Sequence, residues 1–252
     1  MARKLFIAAN WKMNTNRSSA VLLARNLMDE LCQIDQIDLA VCPPFVYIPA
    51  VAEVLSGTVI AVGAQDVFYE NEGAFTGEVS AAMLKDVGCR YVIIGHSERR
   101  HVIGESDELI NRKVLKALSD GLDVIFCVGE LLAEREANKT DDVVRRQVSV
   151  GLEGVSADAM SHVTIAYEPV WAIGTGKVAT PQRAQDVHAM IRSLIEKRYN
   201  RGIAQAVRIQ YGGSVKPQNA REILAQPDVD GALVGGAALK AADFAGIVKA
   251  GL

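Results

Sequence analysis

The chain reads as an α/β protein of the (β/α)8 barrel type. Eight short apolar, β-branched runs alternate with amphipathic helical patterns, no break in composition separates them, and 252 residues suit eight such units. The runs are Leu5 to Ala9, Leu39 to Cys42, Val59 to Val62, Tyr91 to Ile94, Val124 to Val128, Val163 to Tyr167, Val207 to Tyr211 and Ala232 to Val234. Most are too uniformly apolar for a sheet with one face in water, which predicts strands buried on both sides. Between them, Ala20, Ala24, Leu27 and Leu31 fall on one helical stripe, as do Val187, Met190, Ile191, Leu194 and Ile195. The second helix carries its own start signal, Thr180 as N-cap with Pro181 in the first turn. Alternation of this kind implies parallel strands joined by right-handed crossovers, in one domain spanning residues 1–252. A doubly wound open sheet fits the same pattern, because periodicity does not show whether the last strand pairs with the first.

Composition excludes several classes of function. The net charge is −3, and the 27 Lys and Arg residues are dispersed, so no basic field invites nucleic acid. The longest uncharged stretch, Leu39 to Ala52, is interrupted by Pro43, Pro44 and Pro49 and falls well short of the ~20 apolar residues that cross a bilayer. The opening MARKLFIAANWKMN has too brief an apolar segment for a signal peptide, so the expected location is the cytoplasm. Cys32, Cys42, Cys89 and Cys127 are widely spaced in a large chain and read as free, mostly buried thiols. No metal-ligand spacing occurs, and Gly176-Lys177 is followed by Val178 rather than Ser or Thr, so neither a metal site nor a nucleotide loop is expected.

In a barrel the loops that follow the strands share one face, and residues at strand carboxyl ends converge there. The first strand leads into Asn10-Trp11-Lys12-Met13-Asn14, the fourth into Gly95-His96-Ser97-Glu98-Arg99-Arg100 and the fifth into Cys127-Val128-Gly129-Glu130. The sixth ends at Glu168, since Pro169 cannot extend it, and a loop of Pro, Trp, Ala, Ile and Gly follows that is suited to closing over a site and drying it. The seventh and eighth end in Tyr211-Gly212-Gly213-Ser214-Val215 and Val234-Gly235-Gly236-Ala237, and glycine pairs there let backbone N–H groups approach a phosphate. Singly, Lys12 reads as a surface lysine, His96 as a structural histidine and the glycines as turns. Together they put a cation, an imidazole, a carboxylate and two anion-binding loops at one end of the barrel. His101, His162 and His188 have no such company and are expected to be solvated.

NWKMN, GHSERR, CVGE, YEPVWAIGTG, YGGSV and LVGGA, in this order and spacing, resemble the triosephosphate isomerase family along the whole chain. This family is itself a standard example of paired acid–base groups and loop gating. The resemblance implies interconversion of dihydroxyacetone phosphate and glyceraldehyde 3-phosphate through an enediolate, in glycolysis and gluconeogenesis, without cofactor or metal. It implies Glu168 as the proton-moving base, His96 as a neutral electrophile and Lys12 as the cation beside phosphate and oxyanion, with Asn10 a neighbouring donor. Desolvation under the closed loop is expected to raise the Glu168 pKa. Ser97, Glu98 and Cys127 fall in supporting positions. Phosphate is expected on backbone N–H groups of Gly174, Ser214, Gly235 and Gly236, with Tyr211 and Ser214 latching the closed loop. The segment around Thr76, Gly73 to Glu78, matches the loop that enters a second subunit, implying a homodimer.

Two positions depart from the family pattern. Ala238 replaces the usual Ser after the glycine pair, removing a hydroxyl worth about 0.5–1.5 kcal/mol, and Asp66 replaces the usual Asn, adding charge near the expected subunit contact. Two rivals share the barrel: an aldolase or indole-forming synthase acting on another phosphorylated substrate, and a phosphosugar-binding barrel without chemistry. The first, in its Schiff-base form, needs a strand-end lysine where this chain has Glu168, and the second has no use for an intact base, electrophile and cation.

Overall fold

The computed structural model describes residues 3–172 and 180–252, so Gly174 and the middle of the loop after the sixth strand lie outside the described residues. Eight parallel strands form a closed barrel: β1 (Phe6–Asn10), β2 (Asp38–Cys42), β3 (Ile60–Ala64), β4 (Cys89–Ile94), β5 (Asp123–Val128), β6 (Val163–Tyr167), β7 (Arg208–Tyr211) and β8 (Gly231–Val234). The eighth strand pairs with the first, from Phe6 against Gly231 to Ala9 against Val234, which rules out the open sheet. Around the strands run α1 (Arg17–Leu31), α2 (Ile48–Leu55), α3 (Ala81–Asp86), α4 (Asp107–Ser119), α5 (Leu132–Glu136), α6 (Thr140–Gly151), α7 (Pro181–Arg198), α8 (Arg201–Ala206), α9 (Pro217–Leu224) and α10 (Ala241–Lys249).

Side chains alternate along each strand, and that alternation divides the core in two. Phe6, Ala8, Ala40, Cys42, Tyr91, Ile93, Ile125, Cys127, Ala166 and Leu233 pack together inside the barrel. Their neighbours, such as Ile7, Ala9, Val92 and Ile94, face outward into the larger layer beneath the helices. Both faces are therefore buried, which is why the runs lack polar alternation. The Gln210 amide is also buried and donates to the Phe6 carbonyl at 2.9 Å, tying β7 to β1. The α1 stripe is buried at Ala20, Ala24, Leu27 and Leu31, and the Thr180 hydroxyl accepts from Arg183 N–H to cap α7.

The structure corrects one reading. His188 is not solvated: it sits fully buried on α7, with Nδ1 3.1 Å from the Asp228 carbonyl and its ring edge-on to Tyr167. Burial, with Arg192 nearby, lowers its pKa to about 4. The charge that Asp66 adds is buried against Lys113 Nζ at 2.7 Å and Arg99 Nη2 at 2.9 Å, with Glu105 sharing both cations. Burial raises its carboxyl to about 6, with Glu105 adding to the rise, against the pull of Lys113 and Arg99.

Candidate active site

At the carboxyl ends of the strands lies a cavity of about 520 Å³ lined by Asn10, Lys12, His96, Glu168, Ser214, Gly235 and Gly236, among others. Glu168 arrives there by parity, since Thr164 and Ala166 face the barrel interior and the next residue of that set is 168. The Glu168 N–H donates to the Val128 carbonyl at 2.7 Å, extending the ladder one residue past β6 and holding the base at the strand end. Its side chain runs so close to β7 that a Cβ on Gly212 would stand 2.8 Å from Glu168 Cγ. His96 gets in by a different route. Tyr91 and Ile93 face inward, so simple alternation would turn residue 96 outward, but Gly95 has φ 74 and redirects the chain. A side chain at Gly95 would also meet Arg100 Nη2 at 2.9 Å.

The base and the imidazole touch. His96 Nε2 lies 2.9 Å from Glu168 Oε1, while the Ser97 N–H donates to Glu168 Oε2 at 2.9 Å and the Ser97 hydroxyl reaches Oε1 at 3.4 Å. The Glu98 N–H donates to His96 Nδ1 at 3.3 Å, which leaves that nitrogen an acceptor and puts the ring proton on Nε2. Burial pushes the Glu168 carboxyl up. The His96 ring, by its field and its hydrogen bond, the Ser97 N–H and Lys12 outweigh that push and hold the carboxyl below its ordinary value. This direction is opposite to the rise expected under a closed loop. The carboxylate here is engaged by its own protein, and release of Ser97 and His96 would leave burial opposed by the field of Lys12 only.

Lys12 Nζ lies 2.8 Å from Glu98 Oε1, a half-exposed carboxylate, and the Lys12 N–H donates to Asn10 Oδ1 at 3.0 Å. Cys127 sits inside the barrel, fully buried, its thiol pushed up chiefly by burial and next by the negative Glu168. Ser214, Gly235 and Gly236 border the cavity on the side of Lys12, and a Cβ on Gly235 would lie 3.3 Å from Lys12 Cε. Ala238 is buried, and its N–H closes a turn onto the Gly235 carbonyl at 2.8 Å.

Among the described candidates, Ser97, Glu98, Cys127, Tyr211 and Thr76 are not part of the cavity lining, although Ser97 and Glu98 contact Glu168 and Lys12. Tyr211 ends β7 on the outward parity, in the layer beneath the helices beside His188. Thr76, expected at a subunit contact, is exposed in the segment after β3. Glu130 is a further residue of the site that the sequence pattern does not single out: it is fully buried, accepts from Tyr167 Oη at 3.0 Å and Trp171 Nε1 at 2.9 Å, and so anchors the start of the segment that follows Glu168. Its signal was its place at the end of Cys127-Val128-Gly129-Glu130, one residue beyond the glycine that ends β5's turn. Asn14 and Lys216 also line the cavity and carried no separate signal.

Among the described residues no cluster of metal-ligating side chains occurs, and no helix is long and apolar enough to cross a membrane. A model of the triosephosphate isomerase family matches residues 5–251. The chain is 58% identical over 247 residues to the triosephosphate isomerase of Carboxydothermus hydrogenoformans, covering 98% of each chain. It is 54% identical over 247 residues to that of Syntrophotalea carbinolica, again covering 98% of each. With the enzyme of Rhodopirellula baltica the identity is 50% over 250 residues, 99% of this chain and 98% of the relative. With its closed barrel and a carboxylate, an imidazole and a lysine gathered in one cavity, the chain belongs to the triosephosphate isomerase family.

Proposed function

We propose that the protein interconverts dihydroxyacetone phosphate and glyceraldehyde 3-phosphate, with Glu168 moving the proton between the two carbons. The observation that carries this reading is the 2.9 Å contact between a buried carboxylate and an imidazole Nε2 inside a cavity that also holds a lysine. Glu168 takes a proton from C1 of the ketose, and that electron pair forms a C1–C2 double bond as the C2 carbonyl oxygen becomes an oxyanion. The His96 Nε2–H donates to that oxygen, and Lys12 offsets its charge. The hydroxyl proton on O1 then passes to O2 through the imidazole, and Glu168 returns its proton to C2, leaving an aldehyde at C1. Nothing is oxidised or reduced outside the substrate, so the chemistry calls for no cofactor or metal.

For this, Glu168 must exchange the Ser97 N–H and His96 for the substrate. Backbone groups of Ser214, Gly235 and Gly236, with Gly174 outside the described residues, are the proposed phosphate cradle. Closure of the following segment then dries the carboxylate, and burial without compensating hydrogen bonds makes it the stronger base. Purified enzyme should equilibrate the two triose phosphates in a coupled assay without added metal or cofactor, and lack of turnover by folded protein would refute the reading.

The chain is proposed to work as a single barrel domain, in the cytoplasm, and as a homodimer. Supporting the dimer, Met13, Val46, Phe75, Val102 and Ile103 are exposed apolar side chains, and all lie in segments that follow β1 to β4, consecutive neighbours around one rim. Thr76 lies in the same belt. Light scattering should give twice the 27.1 kDa chain mass, and a monomer at assay concentration would contradict it.

A further inference from the structure

The third strand sends no side chain into the cavity lining, yet the residue just beyond it touches the backbone of Lys12. We propose that Gln65 is a positioning residue for the reaction, holding the Lys12 peptide in a left-handed conformation that keeps the ammonium in the cavity. The proposal rests on the catalytic reading of Lys12 given above.

Lys12 has φ 52, a region that residues with a Cβ rarely occupy, and such conformations persist only where their surroundings impose them. Two amide side chains impose it here. Asn10 Oδ1 accepts the Lys12 N–H at 3.0 Å, and Gln65 Nε2 donates to the Lys12 carbonyl at 2.9 Å. The same Nε2 donates to the Cys42 carbonyl at 2.9 Å, so both its N–H bonds are used and the amide is locked between two acceptors. Cys42 ends β2, and its carbonyl also accepts the Trp11 N–H at 3.1 Å. The end of a buried strand is thus the fixed reference, and Gln65 carries its position across to the lysine peptide. Without the donor, Lys12 can relax to negative φ, and because its side chain is long, a rotation at the backbone displaces the ammonium by more than an ångström.

Gln65→Met keeps the length of the side chain and removes both N–H groups. It should lower kcat/KM by about tenfold to a hundredfold, the effect of an ångström-scale misplacement, with the thermal midpoint little changed. A merely structural role is distinguished by repeating the substitution in a Lys12→Met background. If Gln65 acts through Lys12, the second substitution leaves the residual kcat/KM unchanged, whereas the same fold-loss in both backgrounds would overturn the proposal. Affinity for inorganic phosphate, titrated on the same four proteins, gives a readout independent of turnover. Gln65→Met should weaken phosphate binding only when Lys12 is present, so this arm stands even if the assignment of the base fails. Should the methionine variant not fold, Gln65→Asn, which draws the amide back by one methylene, takes its place with the same expectations. Full activity in a folded variant would contradict the proposal.

Discussion

At the amino-terminal mouth of the barrel Arg208 Nη1 lies 2.5 Å from Asp38 Oδ2, Lys4 Nζ 2.7 Å from Asp38 Oδ1, and Arg90 Nε 2.8 Å from Asp123 Oδ2. His162 completes that set against Asp123 at 2.7 Å, around a cavity of about 380 Å³. At the carboxyl-terminal mouth the buried anion, Glu168, meets an imidazole and a backbone N–H instead, and the cation, Lys12, is held by a half-exposed Glu98. Both mouths are charged and both are hollow. The difference lies in the carboxylates: at one end Asp38 and Asp123 are paired with cations, and at the other the buried Glu168 is held by an imidazole and a backbone N–H, contacts that the proposed substrate would replace. On the proposed reading, the barrel's chemistry depends on which end leaves its carboxylate exchangeable, not on how many charges it carries.

Three changes would sharpen or break that contrast. The largest is at the working end: Glu168→Asp withdraws the carboxylate by about 1 Å and should cost on the order of 10²-fold in kcat, read in the coupled assay. An unimpaired variant would remove Glu168 from the role of base.

The second lies between the two ends, at His188. Its folded pKa is about 4, below the ~6.5 of an unfolded histidine, so the unfolded chain takes up the proton first as pH falls. The stability it permits is complete above pH 6.5 and is lost progressively down to pH 4, by roughly 3 kcal/mol. Asp66 acts in the opposite sense, since a carboxyl raised to about 6 is protonated first in the folded state and gains stability over an overlapping range. The difference between the wild type and His188→Gln isolates the histidine: the variant's denaturation midpoint should fall less between pH 6.5 and 4. Parallel profiles would show that His188 is not held neutral.

The smallest change is at the far mouth. Arg208→Met removes one partly exposed ion pair, which is worth about 0–1 kcal/mol, and should leave kcat and KM as they are. A loss of activity there would end the division of labour between the two ends.

Most of the barrel was legible because its strands are buried on both faces, which writes them as continuous apolar runs, and because α7 announces itself with Thr180 and Pro181. Closure depended on the pairing of β8 with β1, which no local pattern encodes. Glu168 was legible from strand parity and the proline that follows. His96 is less direct, for alternation alone would send it outward and only the left-handed Gly95 brings it back. The burial of His188 was concealed by its polarity, although positions 184, 187, 188, 191, 192 and 195 form the helix's buried stripe. The Gln65 contact could not be read at all, since it joins the segments after β1 and β3, which flank β2 and lie 53 positions apart.

The assignment of Glu168 at the exchangeable end is tested most directly by isotope exchange. Dihydroxyacetone phosphate is incubated in D2O with the wild type or with Glu168→Gln, and deuterium on the carbons of the recovered triose phosphates is read by NMR. The wild type should isomerise the substrate and introduce carbon-bound deuterium. Glu168→Gln should do neither at a comparable rate while still binding inorganic phosphate, because only the base is lost. Carbon-bound deuterium appearing at the wild-type rate with the glutamine variant would contradict the account.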